Sequence, residues 1–199
     1  MSIVTCDMAM SVDGYVAGPD QSLEAPLGVG VEQSLHRWMF DDAETNAAEL
    51  EAITAAGAYV MGRNMFGPGR GDWDLDWTGW WGPEPPYHGP VFVLTHHERA
   101  DLPMQGGTTF HFVTGGVDEA VSRAREAAGG KDVAVAGGAS TVNQCLAAGV
   151  IDELRLHVAP VLLGRGERLF EGVARTELTP VSARHTPFVT HLTYTVGKG

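Results

Sequence analysis

The chain has 199 residues, 44% of them hydrophobic and 19% charged, with a formal net charge of −12 at pH 7. This size and composition predict one domain over residues 1–199 with a full hydrophobic core. The acidic balance excludes nucleic acid and anionic membranes as expected partners, because no cluster of Lys and Arg could neutralise their phosphates.

The opening residues, MSIVTCDMAM, lack the basic start and long apolar run of a secretory signal. No stretch reaches the roughly 18 apolar residues that a membrane span needs, so we expect a cytoplasmic protein. Cys6 lies in a strand-like run and Cys145 on the apolar side of a helix, which predicts two buried, reduced thiols. His96 and His97 are the only close pair of histidines, and adjacent strand residues point to opposite faces, so no metal site is predicted.

Strand and helix patterns alternate through the first part of the chain. Residues 3–12 are typical of a largely buried strand, and the glycine-rich residues 14–31 predict a long loop or lid. Helices are predicted over 35–40 and 43–56. The inward stripe of the second helix is expected to be Ala47, Leu50, Ile53 and Thr54.

The middle of the chain combines a core strand with an aromatic loop. The strand covers 59–61 and exits into Gly62, Arg63 and Asn64. Residues 67–89 hold four of the five tryptophans and four prolines, which predicts an irregular loop. Its aromatic side chains fit either the lining of a pocket or subunit contact, or the simple pinning of a long loop to the body.

The rest of the chain adds strands and two helices. A strand after Pro90 ends at Thr95 and His96, and another covers 110–113. A helix follows over 117–128, and the chain closes on an antiparallel pair over about 176–184 and 188–196, without a tight-hairpin signal between them. About eight strands with interleaved helices predict an α/β fold, with a mainly parallel mixed sheet and a C-terminal antiparallel edge.

One stretch, residues 132–149, reads as a buried strand that turns on Gly137 and Gly138 directly into a helix. The first N–H groups of a helix have no intrahelical partner and carry the positive end of its dipole. A glycine-bare helix start therefore favours an anion, such as the pyrophosphate of a dinucleotide. A glycine pair between strand and helix is also compatible with no more than a tight turn.

Five motifs in order carry a family resemblance: SVDGYVAG, YVMGRNMFG, VFVLTHH, VAGGASTVNQCL and IDELRLHVAPVLLGRGERLF. Over about Ile3 to Val196 the chain resembles the dihydrofolate reductase-like superfamily. It is most similar to the reductase domain of the bifunctional riboflavin-biosynthesis enzyme, the RibD C-terminal domain. The resemblance implies a three-layer sandwich, an NADPH site and a homodimer.

The resemblance also implies which residues meet the cofactor. It assigns the nicotinamide side to the first strand and the lid, the phosphates to the turn after residues 59–61, the adenosine ribose and its 2′-phosphate to the strand after Pro90, and the pyrophosphate to the glycine pair. In that order, the residues are Ala9, Val16, Ala17 and Gly18; Gly62, Arg63 and Asn64; Leu94, Thr95 and His96; and Gly137, Gly138, Ala139, Ser140, Thr141 and Val142.

The sequence departs from dihydrofolate reductases at the carboxylate that those enzymes use for the pterin. Asn46 stands at about that position, and an amide cannot donate the proton. Glu49 is an acid one turn along the helix, and it is either a substitute or a solvated surface residue. Arg165 and Arg168 are the basic groups available for the phosphate of a riboflavin-pathway substrate, unless they lie in an exposed turn.

The sequence therefore predicts an NADPH-dependent reductase that transfers a hydride to a C=N or C=O bond of a small, heterocyclic substrate. Asn46, Glu49 or a bound water is expected to relay the proton. The alternatives are a true dihydrofolate reductase or a 5-amino-6-(5-phosphoribosylamino)uracil reductase, and a catalytically silent NADPH-binding module.

Overall fold

The protein is described from a computed structural model, over residues 2–31, 33–67 and 69–197. The strands are β1 (Val4–Ser11), β2 (Tyr15–Ala17), β3 (Ala58–Gly62), β4 (Pro90–Leu94), β5 (Leu102–Pro103), β6 (Thr109–Val113), β7 (Val133–Gly137), β8 (Glu153–Ala159), β9 (Glu167–Arg168), β10 (Leu178–Thr186) and β11 (Val189–Val196). The helices are α1 (Arg37–Phe40), α2 (Ala47–Thr54), α3 (Arg63–Phe66), α4 (Gly116–Ala127) and α5 (Ala139–Ala147).

Nine strands form the main sheet, in the order β10-β11-β8-β1-β7-β3-β4-β6-β5. The six strands from β8 to β6 in that order run parallel to one another. β11 and β10 add the predicted C-terminal antiparallel edge. The α/β class and the mainly parallel mixed sheet are thus confirmed. The sheet has one strand more than expected, because β5 is only two residues long and leaves no strand pattern in the sequence.

Helices α4 and α5 cover one face of the sheet. Small and β-branched side chains let the two helices approach the sheet closely. The core between the helices and the sheet includes Val60, Val135, Ala124 and Val142. Cys6 and Cys145 are free thiols. The first is packed in this core beside the second, and burial raises the pKa of both. The prediction of buried, reduced cysteines is confirmed.

The aromatic loop and helices α1 and α2 cover the opposite face. Trp73 Nε1 donates to the His97 carbonyl at 2.8 Å, and Trp77 Nε1 donates to the Phe66 carbonyl at 2.9 Å. Trp81 stacks on Phe110 with 5.9 Å between ring centroids. Residues 69–89 are therefore anchored to the body, and Trp80, Trp81 and Tyr87 also line a cavity, so the pinning and the pocket-lining interpretations both apply.

Two helix predictions and the last connection differ most from the structure. The second helix covers Ala47–Thr54 rather than 43–56, because Asp42 and Asn46 bond to each other in the turn before it. The helix before it is the short Arg37–Phe40 rather than 35–40. The last two strands do form a tight hairpin, with Thr186 paired to Val189 across Pro187 and Phe188, since proline presets the turn backbone.

The predicted lid over 14–31 contains a small element of its own. Tyr15–Ala17 pairs with Glu167–Arg168 in a separate two-stranded sheet. This pairing ties the first part of the lid to the turn after β8. Within the part of the chain described above, no helix is long and apolar enough to cross a membrane.

Candidate active site

A cavity of about 1330 Å³ opens at the carboxyl ends of β1, β3, β4 and β7. Its other walls come from the lid, α1, α2 and the aromatic loop. Its volume exceeds the ~300–1000 Å³ of an ordinary ligand pocket. In open parallel sheets, ligands bind at this edge of the strands. The cavity is therefore large enough for a cofactor and a second molecule together.

The structure brings most of the predicted cofactor residues to this one cavity. Gly18, Gly137 and Val142 are the exceptions: Gly18 packs against Gly28, Gly137 faces Met8, and Val142 points into the core. The lining includes Ala9, Val16, Ala17, Gly62, Arg63, Asn64, Leu94, Thr95, His96, Gly138, Ala139, Ser140 and Thr141.

Helix α5 begins at the cavity wall. Gly138 precedes its first turn with an extended backbone, and a Cβ at Gly138 would meet nothing within 4 Å. Gly62 packs so closely against Thr141 that an added Cβ would overlap its hydroxyl oxygen. Gly138, Ala139 and Ser140 line the cavity, so the start of α5 faces it. An anion placed there would meet both free donors and the positive end of the helix dipole.

Two guanidinium groups lie near the same end of the cavity. Arg63 lies over the Trp73 ring at 3.9 Å and donates to the Asp72 carbonyl at 3.2 Å. Burial first, and then the positive charge of Arg70, lower the pKa of Arg63, against the opposing effect of Asp72. Arg70 contacts the Asn64 side-chain oxygen. In a chain with a net charge of −12, two adjacent cations at a cavity fit an anionic ligand.

The opposite end of the cavity is a buried polar corner that the sequence analysis did not identify. Asp7, with a side chain 8% exposed, lies on β1, and His157, 3% exposed, lies on β8. Asp7 Oδ1 is 3.4 Å from His157 Nε2, and Asp7 Oδ2 is 3.5 Å from Arg155 Nη1. His36 and Trp38 complete the corner, with 4.7 Å between the Trp38 and His157 ring centroids.

Several polar atoms of this corner have no hydrogen-bond partner among the described residues. They are both Asp7 carboxylate oxygens, His36 Nδ1, Trp38 Nε1 and His157 Nε2. Buried polar atoms are usually paired in native proteins, so this cluster is free to bond ordered water or a polar ligand in the cavity. A signal was present in the sequence, because Asp7 is an acid inside the apolar run IVTCDMAM. Its partner could not be read, since His157 is distant in the chain.

Asn46 and Glu49 lie behind the polar corner and do not line the cavity. Asn46 is fully buried, and its amide donates to the carbonyls of Trp38 at 3.2 Å and Asp42 at 2.7 Å. Its oxygen accepts from Arg184 Nη2 at 3.3 Å and is 2.9 Å from His191 Nε2. Glu49 forms an ion pair with Arg184, and although burial alone would raise the pKa of Glu49, this partner lowers it.

The cavity wall of α2 is instead formed by Leu50, Glu51, Ile53 and Thr54. The predicted stripe of Leu50, Ile53 and Thr54 therefore faces the cavity rather than a core, whereas Ala47 is exposed. A direct proton transfer from Asn46 or Glu49 to a ligand has no geometric support here, and their catalytic role stays a prediction.

Arg165 lies in the bend after β8, whereas Arg168 lies in β9. Both are exposed, and Arg168 donates to the Tyr15 hydroxyl at 3.1 Å. Neither lines the cavity, which agrees with the exposed-turn alternative. Within residues 2–31, 33–67 and 69–197, no group of three or more His, Cys, Asp or Glu side chains could hold a metal ion.

Comparison with known proteins gives the family context of this cavity. The family model described as the RibD C-terminal domain matches residues 2–192. No curated protein matches the chain significantly.

Solved structures share the fold over nearly the whole chain. A protein from Shewanella sp. PV-4 assigned to riboflavin biosynthesis is 20% identical, with a TM-score of 0.66 and coverage of 98% of this chain and 99% of that one. The riboflavin biosynthesis reductase of Saccharomyces cerevisiae is 13% identical, with a TM-score of 0.57 and coverage of 98% and 89%. Dihydrofolate reductase from Enterococcus faecalis, complexed with NADP(H) and RAB-propyl, is 15% identical, with a TM-score of 0.55 and coverage of 98% and 96%. At these identities the likeness establishes the fold.

Proposed function

The chain belongs to the RibD C-terminal domain family, and on that premise we propose that it is an NADPH-dependent reductase of a small, heterocyclic substrate with a C=N or C=O bond. The observation that carries the proposal is the two-ended cavity. One end combines a helix start with two guanidinium groups, and the other is a buried polar corner. This arrangement suits a phosphate-bearing cofactor and a polar acceptor side by side.

When bound, NADPH supplies the hydride that reduces the acceptor. In this proposal the first N–H groups of α5 bind the pyrophosphate, and Arg63 and Arg70 neutralise phosphate charge. Ala9 on β1 and the lid residues Val16 and Ala17 position the nicotinamide. The small side chain of Ala9 leaves room for a flat ring against the sheet.

The acceptor then occupies the polar corner. Leu50 and Ile53 of α2 give it an apolar wall, and Trp38 adds both an aromatic surface and an N–H donor. Apolar walls with a few converging polar groups are the usual make-up of a specific small-molecule site. The walls exclude water while Asp7 and His157 provide the polar contacts that orient the substrate.

Two catalytic alternatives and one non-catalytic alternative remain within the same fold. A true dihydrofolate reductase is favoured by the likeness to the Enterococcus faecalis enzyme, and a 5-amino-6-(5-phosphoribosylamino)uracil reductase by the family. The buried, fully bonded Asn46 counts against the first. The exposed positions of Arg165 and Arg168 count against the second. A catalytically silent NADPH-binding module would bind cofactor but oxidise it with no acceptor.

Calorimetric titration with NADPH and NADH tests the proposal, using two variants of Ser140. We expect wild-type protein to bind NADPH more tightly than NADH. Ser140 is exposed in the first turn of α5, so Ser140→Asp places a negative charge beside the phosphates. This charge should weaken NADPH binding by roughly tenfold or more.

Ser140→Asn is the matched control, because it has nearly the same shape as Ser140→Asp and no charge. It should bind NADPH within about threefold of wild type. Ser140→Asp should not lower the melting temperature, since an acid in the first turn of a helix is stabilising. Equal affinities of the two variants would remove the cofactor phosphates from α5, and no binding of either nucleotide to wild type would refute the proposed function.

A further inference from the structure

We infer that Asp7 and His157 together hold one proton at the substrate end of the cavity and deliver it to the acceptor, and that Asn46 is a positioning residue that fixes the tautomers of the histidines behind them. The inference rests on the proposed reductase function for its chemistry. The protonation pattern itself follows from hydrogen bonds and one close contact within the chain and can be measured without any ligand.

The orientation of the Asn46 side-chain amide is fixed by its hydrogen bonds. Its Nδ2 donates to two backbone carbonyls, those of Trp38 and Asp42. Carbonyls only accept, so the amide cannot be turned around. Asn46 Oδ1 therefore faces His191 Nε2 at 2.9 Å, and the histidine nitrogen must carry the hydrogen.

His191 is uncharged near neutral pH. Burial first, and then the neighbouring His157, lower the pKa of His191 to about 4, with Glu49 opposing and Arg184 adding to the shift. His191 is therefore neutral near pH 7 and carries one ring proton, on Nε2. Its Nδ1 is then bare and can only accept.

The tautomer of His157 follows from that of His191. The two Nδ1 atoms are 2.7 Å apart, which is a hydrogen-bond distance. Because His191 Nδ1 is bare, His157 Nδ1 must donate. If His157 carried no second proton, its Nε2 would present a lone pair to the cavity.

The Asp7 carboxylate lies 3.4 Å from His157 Nε2. A bare nitrogen and an ionised carboxylate oxygen would face each other with lone pairs only, in a buried place where repulsion is poorly screened. One proton on either atom removes the repulsion. The pair therefore holds one proton, either on His157 Nε2 or on the Asp7 carboxyl.

Other charged and titratable groups around the pair do not remove this need. Arg155 Nη1 is 3.5 Å from the other Asp7 oxygen, while Arg155 Nη2 forms an ion pair with Glu153 at 2.6 Å. His36 lines the same cavity, and burial first, and then His157, lower its pKa. Behind His191, Arg184 pairs with Glu49 and also donates to Asn46 Oδ1 at 3.3 Å. None of these groups donates to His157 Nε2.

The position of the pair suits proton delivery. Asp7 and Ala9 lie on the same face of β1, two residues and so about 6.6 Å apart. His157 is the direct neighbour of Ala9 on β8. A nicotinamide bound at Ala9 would therefore lie beside an acceptor that contacts the pair.

Reduction of the acceptor uses one hydride and one proton. The acceptor carbon of C=N or C=O takes the hydride and NADPH becomes NADP⁺, while the acceptor nitrogen or oxygen takes the proton. A new N–H or O–H bond forms on the product as the bond between the proton and His157 or Asp7 breaks. A proton from water restores the pair after product release.

Nuclear magnetic resonance of protein labelled with ¹⁵N in histidine and ¹³C in aspartate tests the inference at pH 7. We expect His191 to be protonated on Nε2 only and His157 on Nδ1. The remaining proton should appear either on His157 Nε2 or on the Asp7 carboxyl, and Asp7→Asn should abolish that signal. In Asn46→Leu, which has no acceptor for His191 Nε2, the His191 tautomers should become mixed.

Asp101→Asn is the matched control, because Asp101 and His111 form a second pair outside the cavity, 2.8 Å apart. It should leave the His157 and His191 signals unchanged. The wild-type spectrum alone decides the central point, so the test does not depend on a variant that folds. Finding His191 protonated on Nδ1, or a bare His157 Nε2 beside an ionised Asp7, would overturn the inference.

The NMR spectrum and the cofactor titration test the proton pair and the proposed function independently. Loss of NADPH binding would remove the proposed function without changing the proton count of the pair. With any acceptor that is reduced, Asp7→Asn should lower kcat by about 100-fold or more while the Kd for NADPH stays within about threefold. An unchanged kcat would show that the pair binds a proton but does not deliver it.

Discussion

Asp7 shows how much a single residue can indicate and where that indication stops. An acid inside an apolar strand predicts a buried carboxylate, and its side chain is only 8% exposed. Its partner His157 belongs to β8, and the contact depends on β8 pairing with β1. Nothing local in the sequence specifies that pairing, so the site could be suspected from Asp7 but not assembled.

Asn46 illustrates the reverse case. Its alignment with a catalytic acid of dihydrofolate reductases drew attention to the right region of the chain. The structure places its side chain one layer behind the cavity, in contact with His191. The position of Asn46 in the sequence places it at the start of α2. The direction of its side chain depends on the turn before that helix.

The buried His191 predicts a loss of stability in mild acid. Its pKa in the folded protein is about 4, below its ordinary 6.5, so the unfolded chain takes up its proton first as the pH falls. The contribution of His191 to stability is therefore complete above pH 6.5 and is lost as the pH falls toward 4. His191→Gln, which does not titrate, should flatten the pH dependence of the unfolding free energy by up to about 1.4 kcal/mol per pH unit.

Urea unfolding at several pH values measures this slope. His185→Gln is the control, because the His185 side chain is exposed, and it should keep the wild-type slope. If His191→Gln and wild type lose stability in parallel between pH 6.5 and 4, His191 is not the buried neutral base described above.

At the scale of elements, the sequence predicted strands better than helix boundaries. Strand cores such as 59–61 and 110–113 are short apolar runs, and both lie inside the observed strands. Helix α2 begins four residues later than predicted, since 43 was expected and 47 is observed. Local bonding between Asp42 and Asn46 competes with the helix there, and helical periodicity does not reveal such competition.

We propose that strand β10 forms the contact of the homodimer that the family resemblance implies. All of its residues except Thr186 are exposed, including Leu178 at 38% and Val181 at 59%. Pro180 and a register shift between Pro180 and Ser182 hinder backbone pairing with another strand. The proposed contact is therefore made by the side-chain surface of β10, not by extension of the sheet.

Light scattering coupled to gel filtration measures the mass in solution. We expect twice the mass of one chain for wild type, and Val181→Lys should raise the dimer dissociation constant by roughly tenfold or more, because it buries a charge at the contact. Leu162→Lys, at an exposed position outside β10, should leave it unchanged. A wild-type protein that stays a single chain at every concentration contradicts the proposal.

At the scale of the whole molecule, the order of the motifs predicted the fold. Alternating strands and helices followed by strands alone specify a mainly parallel sheet with an antiparallel edge, and the structure has both. The order of the strands in the sheet could not be predicted from the sequence, because β7 lies between β1 and β3 in the sheet but far from both in the chain. That insertion brings the α5 start beside β1 and creates a single cavity from separate motifs.

The central claim is that this cavity holds NADPH with its phosphates at α5 and its nicotinamide at β1. Titrating NADPH into protein labelled at its alanine methyl groups tests the claim most directly, since Ala139 and Ala9 mark the two ends. We expect the methyl signals of both alanines to shift, while those of the exposed Ala127 and Ala183 stay in place. Shifts that spare Ala9 and Ala139, or no shifts at saturating NADPH, would contradict the account.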